Sequence, residues 1–95
     1  RYRKRISAFD RIRVQTRTVC WDKRFLYIEQ AMWNSKKECA GHIIYRAAFV
    51  GNNGIINPQK IFDEIEVALV SPKMPDWLKD WVDSEEKRPW PPMQE

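Results

Sequence analysis

Residues 10–50 carry the pattern of three β-strands separated by two short polar breaks. In the first run, β-branched residues alternate with polar ones, and a period of two is typical of a strand with one buried face. The face predicted to be half-buried consists of Ile12, Val14, Thr16, Thr18 and Cys20. Because both breaks are short enough for tight turns, we predict antiparallel strands over residues 11–21, 24–34 and 39–50.

The second of these runs is apolar on both faces, so we expect both faces to be at least partly covered. Phe25, Tyr27 and Trp33 share one face with a carboxylate, Glu29. Before the three strands, residues 2–7 predict a polar edge strand, followed by a turn at residues 7–10.

Helical signals follow the sheet, which we expect to end at residues 51–54. Asn57 and Pro58 form a helix-start pair of N-cap and first helical position, and apolar residues then recur at helical spacing. This pattern predicts a helix over residues 58–69. Pro75 opens a second amphipathic helix, predicted over residues 75–87, and a Pro-rich extended tail follows it.

The chain has 95 residues, a hydrophobic fraction of 43% and five Trp, which indicates one globular domain with a modest core. No apolar run is long enough to cross a bilayer, and no secretory signal is present. The chain does not begin with Met, so we expect a fragment or the ordered part of a longer protein.

Cys20 and Cys39 are too few for a disulfide framework, which favours a reduced, cytoplasmic protein. With a single His and two distant Cys, the sequence has no zinc-ligand spacing, and we predict no metal site. Only three Gly occur, and none forms a phosphate-binding loop.

The net charge of +4 is distributed unevenly: residues 1–24 hold nine Lys or Arg against two Asp, while residues 61–95 hold four against nine Asp or Glu. The basic end could attract nucleic acid or the phosphates of a coenzyme. A solvated polar strand face is the favoured interpretation, because alternating strands routinely direct charge outward.

The order of these segments resembles the later strands of hot-dog-fold acyl-CoA thioesterases, and most closely their bacterial branch. Five segments carry the resemblance: the basic strand Tyr2 to Ile6, Phe9-Asp10, the alternating strand Arg11 to Cys20, Trp21-Asp22, and Phe25 to Gln30. Downstream, residues 41–50, 57–58 and 75–86 resemble the last strand, the helix start after the sheet and the terminal acidic helix. The resemblance implies an α+β, hot-dog-like antiparallel sheet of about four strands followed by two C-terminal helices.

The resemblance covers the C-terminal two thirds of that family's domain. It implies a partial hot-dog domain over residues 1–70, with the second helix and tail over residues 71–95. In the family, a first strand and a long central helix precede this region, and the entry to that helix carries the residues usually assigned to catalysis. We therefore expect the catalytic residues in a segment absent here, and the 95-residue chain alone to be inactive.

Four residues of this chain are candidates for chemistry or coenzyme binding. Glu29 and Asp10 are candidate acid–base residues, although a cross-strand Arg such as Arg17 or Arg46 would make Glu29 structural, and turn formation would explain Asp10. Arg11 and Arg13 are candidates for contacts to the phosphates of coenzyme A. The remaining possibilities are weaker: His42 fits a surface or structural role, and Cys20 would need a positioned His to act as a nucleophile.

Three functions remain open at this point. The resemblance implies hydrolysis of an acyl-CoA thioester by the full-length protein, with coenzyme A entering as part of the substrate and no separate cofactor. Alternatives are a non-catalytic acyl-binding or dimerisation module, and a small basic β-domain that binds single-stranded nucleic acid. The last is disfavoured because the aromatic residues lie on apolar strands. The resemblance also implies a homodimer or a multiple of one, formed by pairing of the first strand, residues 2–6.

Overall fold

The structure, a computed structural model, describes residues 1–6, 8–66 and 68–93. Its strands are β1 (Arg13–Trp21), β2 (Leu26–Trp33), β3 (Cys39–Ala47), β4 (Phe49–Gly51) and β5 (Gly54–Ile56), and its helices are α1 (Pro58–Glu64) and α2 (Asp76–Lys87). Ser7 of the predicted first strand, Val67 of the predicted first helix and the last two residues of the predicted tail lie outside the described residues.

The first three strands form one antiparallel sheet in the order β1–β2–β3, with β2 in the centre. A separate two-stranded ribbon, β4–β5, and the two helices follow it. The α+β, hot-dog-like class implied by the resemblance is confirmed. The predicted bounds of β1 (residues 11–21) and β2 (residues 24–34) are confirmed to within two residues.

Side chains in the two hairpin turns fix the register of the sheet. In the first turn, Asp22 Oδ1 accepts the backbone N–H groups of Arg24 and Phe25 at 2.8 and 2.7 Å. In the second turn, Asn34 Oδ1 accepts those of Lys36 and Glu38 at 3.0 and 2.9 Å. Each side chain replaces a backbone partner that the reversing chain has lost, which is why Asp and Asn favour such turns.

A β-bulge in β1 corrects the predicted face of Cys20. Thr18 pairs with Ile28, but Cys20 pairs with Tyr27, so Val19 is the additional residue. An extra residue moves all later side chains to the opposite face. Cys20 therefore lies on the Tyr27 face and is buried there, rather than on the face of Thr16 and Thr18.

The prediction that β1 is half-buried is wrong for most of its length. Residues 13–18 are exposed on both faces, and only Val19 to Trp21 are covered. β1 is an edge strand of its sheet, so in the described part of the chain its first two thirds have a neighbour on one side only. The alternating pattern correctly predicted the strand, but it did not predict what would cover it.

The predicted strand over residues 2–7 is also wrong in extent. Tyr2 makes a single antiparallel bridge to Gly41, and the adjoining backbone bonds join Arg1 to His42 and Arg3 to Ala40 at 2.7–2.8 Å. The segment thus lies beside β3, and a side chain at position 41 would collide with Tyr2, since a Cβ there would lie 2.9 Å from the tyrosine ring. The basic residues that follow do not continue the ladder.

The third strand ends earlier than predicted. β3 stops at Ala47, Ala48 is exposed outside any strand, and β4 then pairs with β5 in a hairpin around Asn52 and Asn53. The residues expected to end the sheet instead close this hairpin. Gly54 adopts a φ of 107°, a conformation that glycine reaches without steric cost.

The two helices agree with their predicted starts but not with both predicted ends. Asn57 caps α1 as predicted, because its side chain accepts the N–H of Gln59 at 2.9 Å. The helix ends at Glu64 rather than at residue 69, since Glu66 turns to a φ of 59°, which is incompatible with a continuing right-handed helix. The prediction for α2 is confirmed to within one residue.

The core forms where α2 packs on one end of the sheet. Its fully buried members are Cys20, Tyr27 and Leu78, joined by Val19, Phe25, Ile44, Met74, Trp81 and Val82. Tyr27 pairs with Cys20 on β1, so both lie on one sheet face, and Leu78 of α2 meets them there. The tyrosine hydroxyl remains satisfied because it donates to Asp22 Oδ2 at 2.9 Å.

We expect Leu78→Ala to lower the free energy of unfolding by about 2–5 kcal/mol, because it opens a cavity at the centre of this small core. Leu69→Ala is the matched control, since Leu69 is 44% exposed and its substitution should change stability by no more than about 0.5 kcal/mol. Urea denaturation of both variants measures the difference. Equal, small effects would contradict the packing of α2 on the sheet.

Candidate functional site

A row of three polar side chains crosses the sheet beside the core. Glu29, in the middle of β2, lies directly opposite Arg17 of β1, and Arg17 Nε donates a hydrogen bond to Glu29 Oε1. On the other side, His42 Nε2 lies 2.8 Å from Glu29 Oε2. His42 stands opposite Ala31 in β3, so it reaches Glu29 diagonally along the same sheet face.

Both oxygens of Glu29 are engaged, and its side chain is only 15% exposed. Burial alone would raise the pKa of Glu29, but the hydrogen bonds from His42 and Arg17 and the positive charge of Arg17 outweigh burial and hold that pKa below its ordinary value. Glu29 is therefore a carboxylate at neutral pH. The predicted cross-strand pairing of Glu29 with Arg17 is confirmed.

His42 connects this row to α2 and to the N-terminal segment. Its ring forms a T-shaped pair with that of Trp77, in the first turn of α2, with ring centroids 5.9 Å apart. Its backbone N–H donates to the carbonyl of Arg1 at 2.7 Å. The imidazole is 35% exposed, so one side of it remains accessible to a ligand.

Two adjoining depressions flank His42, and both are lined by His42 and Cys39. The larger, about 360 Å³, is also lined by Gln15, Arg17, Glu29, Ala31 and Trp33. The smaller, about 230 Å³, is also lined by Arg1, Arg3 and Gly41. The site thus combines a carboxylate–imidazole pair with three Arg and an apolar wall, a composition suited to a ligand with an anionic part and an apolar part.

Trp33 lines the larger depression, and Arg13 lies over its ring. The guanidinium carbon of Arg13 lies 5.6 Å from the centroid of the Trp33 ring, in cation–π geometry. The indole N–H of Trp33 is buried and has no hydrogen-bond acceptor within residues 1–6, 8–66 and 68–93. Of the two predicted phosphate-binding residues, Arg13 therefore adjoins the depression, whereas Arg11 is exposed and precedes β1.

The other predicted candidates lie apart from this row. Asp10 lines a different depression, of about 300 Å³, together with Lys4, Arg5, Asn34, Ser35, Lys36 and Glu38. Cys20 is in the core, where burial and the nearby Asp22 carboxylate raise the pKa of its thiol. A buried, protonated thiol is a poor nucleophile, so Cys20 fits a packing role.

From the sequence, His42 is expected to be a surface or structural residue, and its contact with Glu29 is not predicted. Residues 13 positions apart come together only when the β2–β3 register is known, and no short motif encodes that register. Within the described residues, no group of three or more His, Cys, Asp or Glu could hold a metal ion. Neither helix in this part of the chain is long and apolar enough to cross a membrane.

Comparison with known proteins identifies the family. Residues 1–82 match the model of the Thioesterase-like superfamily. The chain belongs to this superfamily. Protein THEM6 of Xenopus laevis is 25% identical over 84 residues, which cover 86% of this chain and 39% of that relative, so the chain spans about two fifths of the length of this curated relative. No solved structure matches the chain.

We expect Glu29→Gln to lower the free energy of unfolding by about 1–3 kcal/mol at pH 7, because an amide offers one acceptor oxygen to two donors. Since the folded-state pKa of Glu29 is lowered, its contribution is present above the unfolded value of about 4.3 and is lost as the pH falls through the folded value. The difference between wild type and variant should therefore shrink below about pH 4.

Glu38→Gln is the control for this measurement. Glu38 is also hydrogen-bonded to Asn34 and paired with Lys4, but its side chain is more exposed than that of Glu29. Its substitution should therefore lower the free energy of unfolding by less than Glu29→Gln does. Urea denaturation of both variants between pH 3 and pH 8 compares them. A Glu29→Gln effect that equals the Glu38→Gln effect, or that does not change with pH, contradicts the assigned role of Glu29.

Proposed function

We propose that the full-length protein hydrolyses acyl-CoA thioesters to the free acid and coenzyme A. The observation that carries this proposal is the superfamily match, which spans 82 of the 95 residues and includes the whole β1–β2–β3 sheet. The depressions beside Glu29 and His42 supply the polar and apolar lining that such a substrate needs.

The proposed orientation of the substrate follows from the charge around the site. Arg13 and Arg11 are the proposed contacts for the coenzyme phosphates, since guanidinium groups bind phosphate oxygens in a fixed fork geometry. The acyl chain would lie against the apolar wall of Ala31 and Trp33. Catalysis further needs donors that polarise the thioester carbonyl, and we propose that these belong to the part of the parent protein outside residues 1–95.

Single-stranded nucleic acid is disfavoured as the ligand because the aromatic rings of the central strand and its turn are covered. Base stacking needs accessible aromatic rings. Tyr27 is fully buried, and the guanidinium groups of Arg24 and Arg46 lie 5.2 and 4.5 Å from the centroid of the half-buried Phe25 ring. A non-catalytic acyl-binding module would use the same site as the hydrolase but would release no thiol. An assay of thiol release therefore distinguishes the two functions.

We expect the full-length protein to release free thiol from at least one member of an acyl-CoA panel that varies in chain length and aromatic character. N-acetylcysteamine thioesters of the same acyl groups lack the phosphates of coenzyme A. Their KM should be at least about tenfold higher, because one charge-assisted contact is lost. Arg13→Gln should raise KM for the acyl-CoA only. Binding without thiol release across the panel would contradict the hydrolase and favour the non-catalytic module.

We further propose that the protein is a homodimer or a multiple of one, assembled through the N-terminal segment beside β3. Residues 1–4 use one backbone edge to bond to β3. Antiparallel pairing of the other edge with a second copy would give its N–H and C=O groups hydrogen-bond partners. Light scattering of the full-length protein at micromolar concentration should give twice the protomer mass or a multiple of it. A monomer mass, unchanged by concentration, contradicts this assembly.

A further inference from the structure

The chemistry of the Glu29–His42 contact defines which nitrogen of the imidazole carries a proton. Glu29 is ionised, and an ionised carboxylate accepts hydrogen bonds but cannot donate them. The atom within 2.8 Å of its Oε2 is His42 Nε2, so Nε2 must be the protonated nitrogen. In a neutral imidazole the other nitrogen, Nδ1, then carries a lone pair.

Nδ1 of His42 has no hydrogen-bond partner within the part of the chain that the structure describes. The ring lines both depressions beside the sheet and is one third exposed, so a bound water or ligand can reach it. A basic nitrogen oriented by a carboxylate, in a depression of ligand size, is the arrangement expected of a general base.

Three neighbours hold the imidazole in this orientation. Arg17 holds Glu29 from the far side, Glu29 fixes Nε2, and Trp77 of α2 packs against the ring. Among the described residues, the charged and titratable groups that line the two depressions with His42 are Glu29 of β2, Arg17 of β1, Arg1 and Arg3 of the N-terminal segment, and Cys39 of β3. The contact from α2 is the uncharged Trp77.

We propose that His42 is the general base of thioester hydrolysis in the full-length protein and that Glu29 is its positioning residue. The inference rests on the proposed function and adds to it a proton-transfer group inside residues 1–95. It reverses the expectation that all catalytic groups lie in a preceding segment. It also assigns Glu29 a role through His42 rather than direct contact with the substrate.

The proposed step balances without any further reactant. Nδ1 accepts a proton from water while the water oxygen bonds to the thioester carbonyl carbon. The carbon–sulfur bond then breaks, and the departing thiolate receives the proton from Nδ1. One thioester and one water give one carboxylic acid and one thiol, and His42 returns to its starting state.

The test compares kcat and KM of full-length wild type, His42→Gln, Glu29→Gln and Gln30→Met between pH 5 and pH 9. His42→Gln keeps an N–H for Glu29 but has no basic nitrogen. A general base usually contributes about a hundredfold or more to the rate, so kcat should fall by at least that factor with little change in KM. The pH dependence that a general base imposes on kcat of wild type should be absent from this variant. Gln30→Met removes a different cross-strand hydrogen bond, from Gln30 Nε2 to Thr16 Oγ1 at 3.1 Å, and should retain wild-type kcat.

Glu29→Gln should lower kcat with little change in KM, because an amide can donate as well as accept and no longer fixes the tautomer of His42. Imidazole added to His42→Ala should restore part of the lost turnover, which a structural role would not allow. If wild type hydrolyses a thioester and His42→Gln is equally active, the inference is contradicted while the proposed function stands. A wild type that turns over no thioester contradicts the proposed function, and the inference with it.

Discussion

β2 pairs with a neighbouring strand along both of its edges, and this pairing determines where the core and the polar row lie. It aligns Tyr27, Glu29, Ala31 and Trp33 on one face of the central strand, at a spacing of about 6.8 Å between alternate residues. Tyr27 enters the core under α2, while Glu29, two residues further, lies at the margin of that core. A shift of one residue would turn all four side chains to the other face and remove both the core and the polar row.

The core and the candidate site are therefore parts of one structure. Burial and the hydrogen bond to Asp22 raise the pKa of Tyr27 to about 12, so its hydroxyl remains a donor throughout the physiological range. The same Asp22 holds the β1–β2 turn and thus the register that brings Arg17 opposite Glu29. Leu78 fixes α2 on the sheet, and the preceding residue, Trp77, contacts His42. Damage to the core is expected to disturb the site through these two connections.

The sequence was informative where local chemistry decides structure. Alternation predicted the strands, and Asn57-Pro58 and Pro75 predicted the helix starts, because these signals act within a few residues. The sequence was uninformative where a contact between distant residues determines the structure. The bulge at Val19 reversed the face of Cys20, the left-handed turn at Glu66 shortened α1, and the proximity of His42 to Glu29 required the strand register. Glu29 could be selected from sequence as a carboxylate among aromatic residues, but its second partner could not.

In the proposed mechanism, the Glu29 carboxylate holds His42 in the tautomer whose Nδ1 is free to accept a proton. The most direct measurement is a nitrogen-15 NMR spectrum of the histidine side chains of the full-length protein at pH 8, with the His42 signals assigned by their loss in His42→Gln. We expect a protonated Nε2 and an unprotonated Nδ1 for His42. A protonated Nδ1, or signals that show exchange between both tautomers, would contradict it.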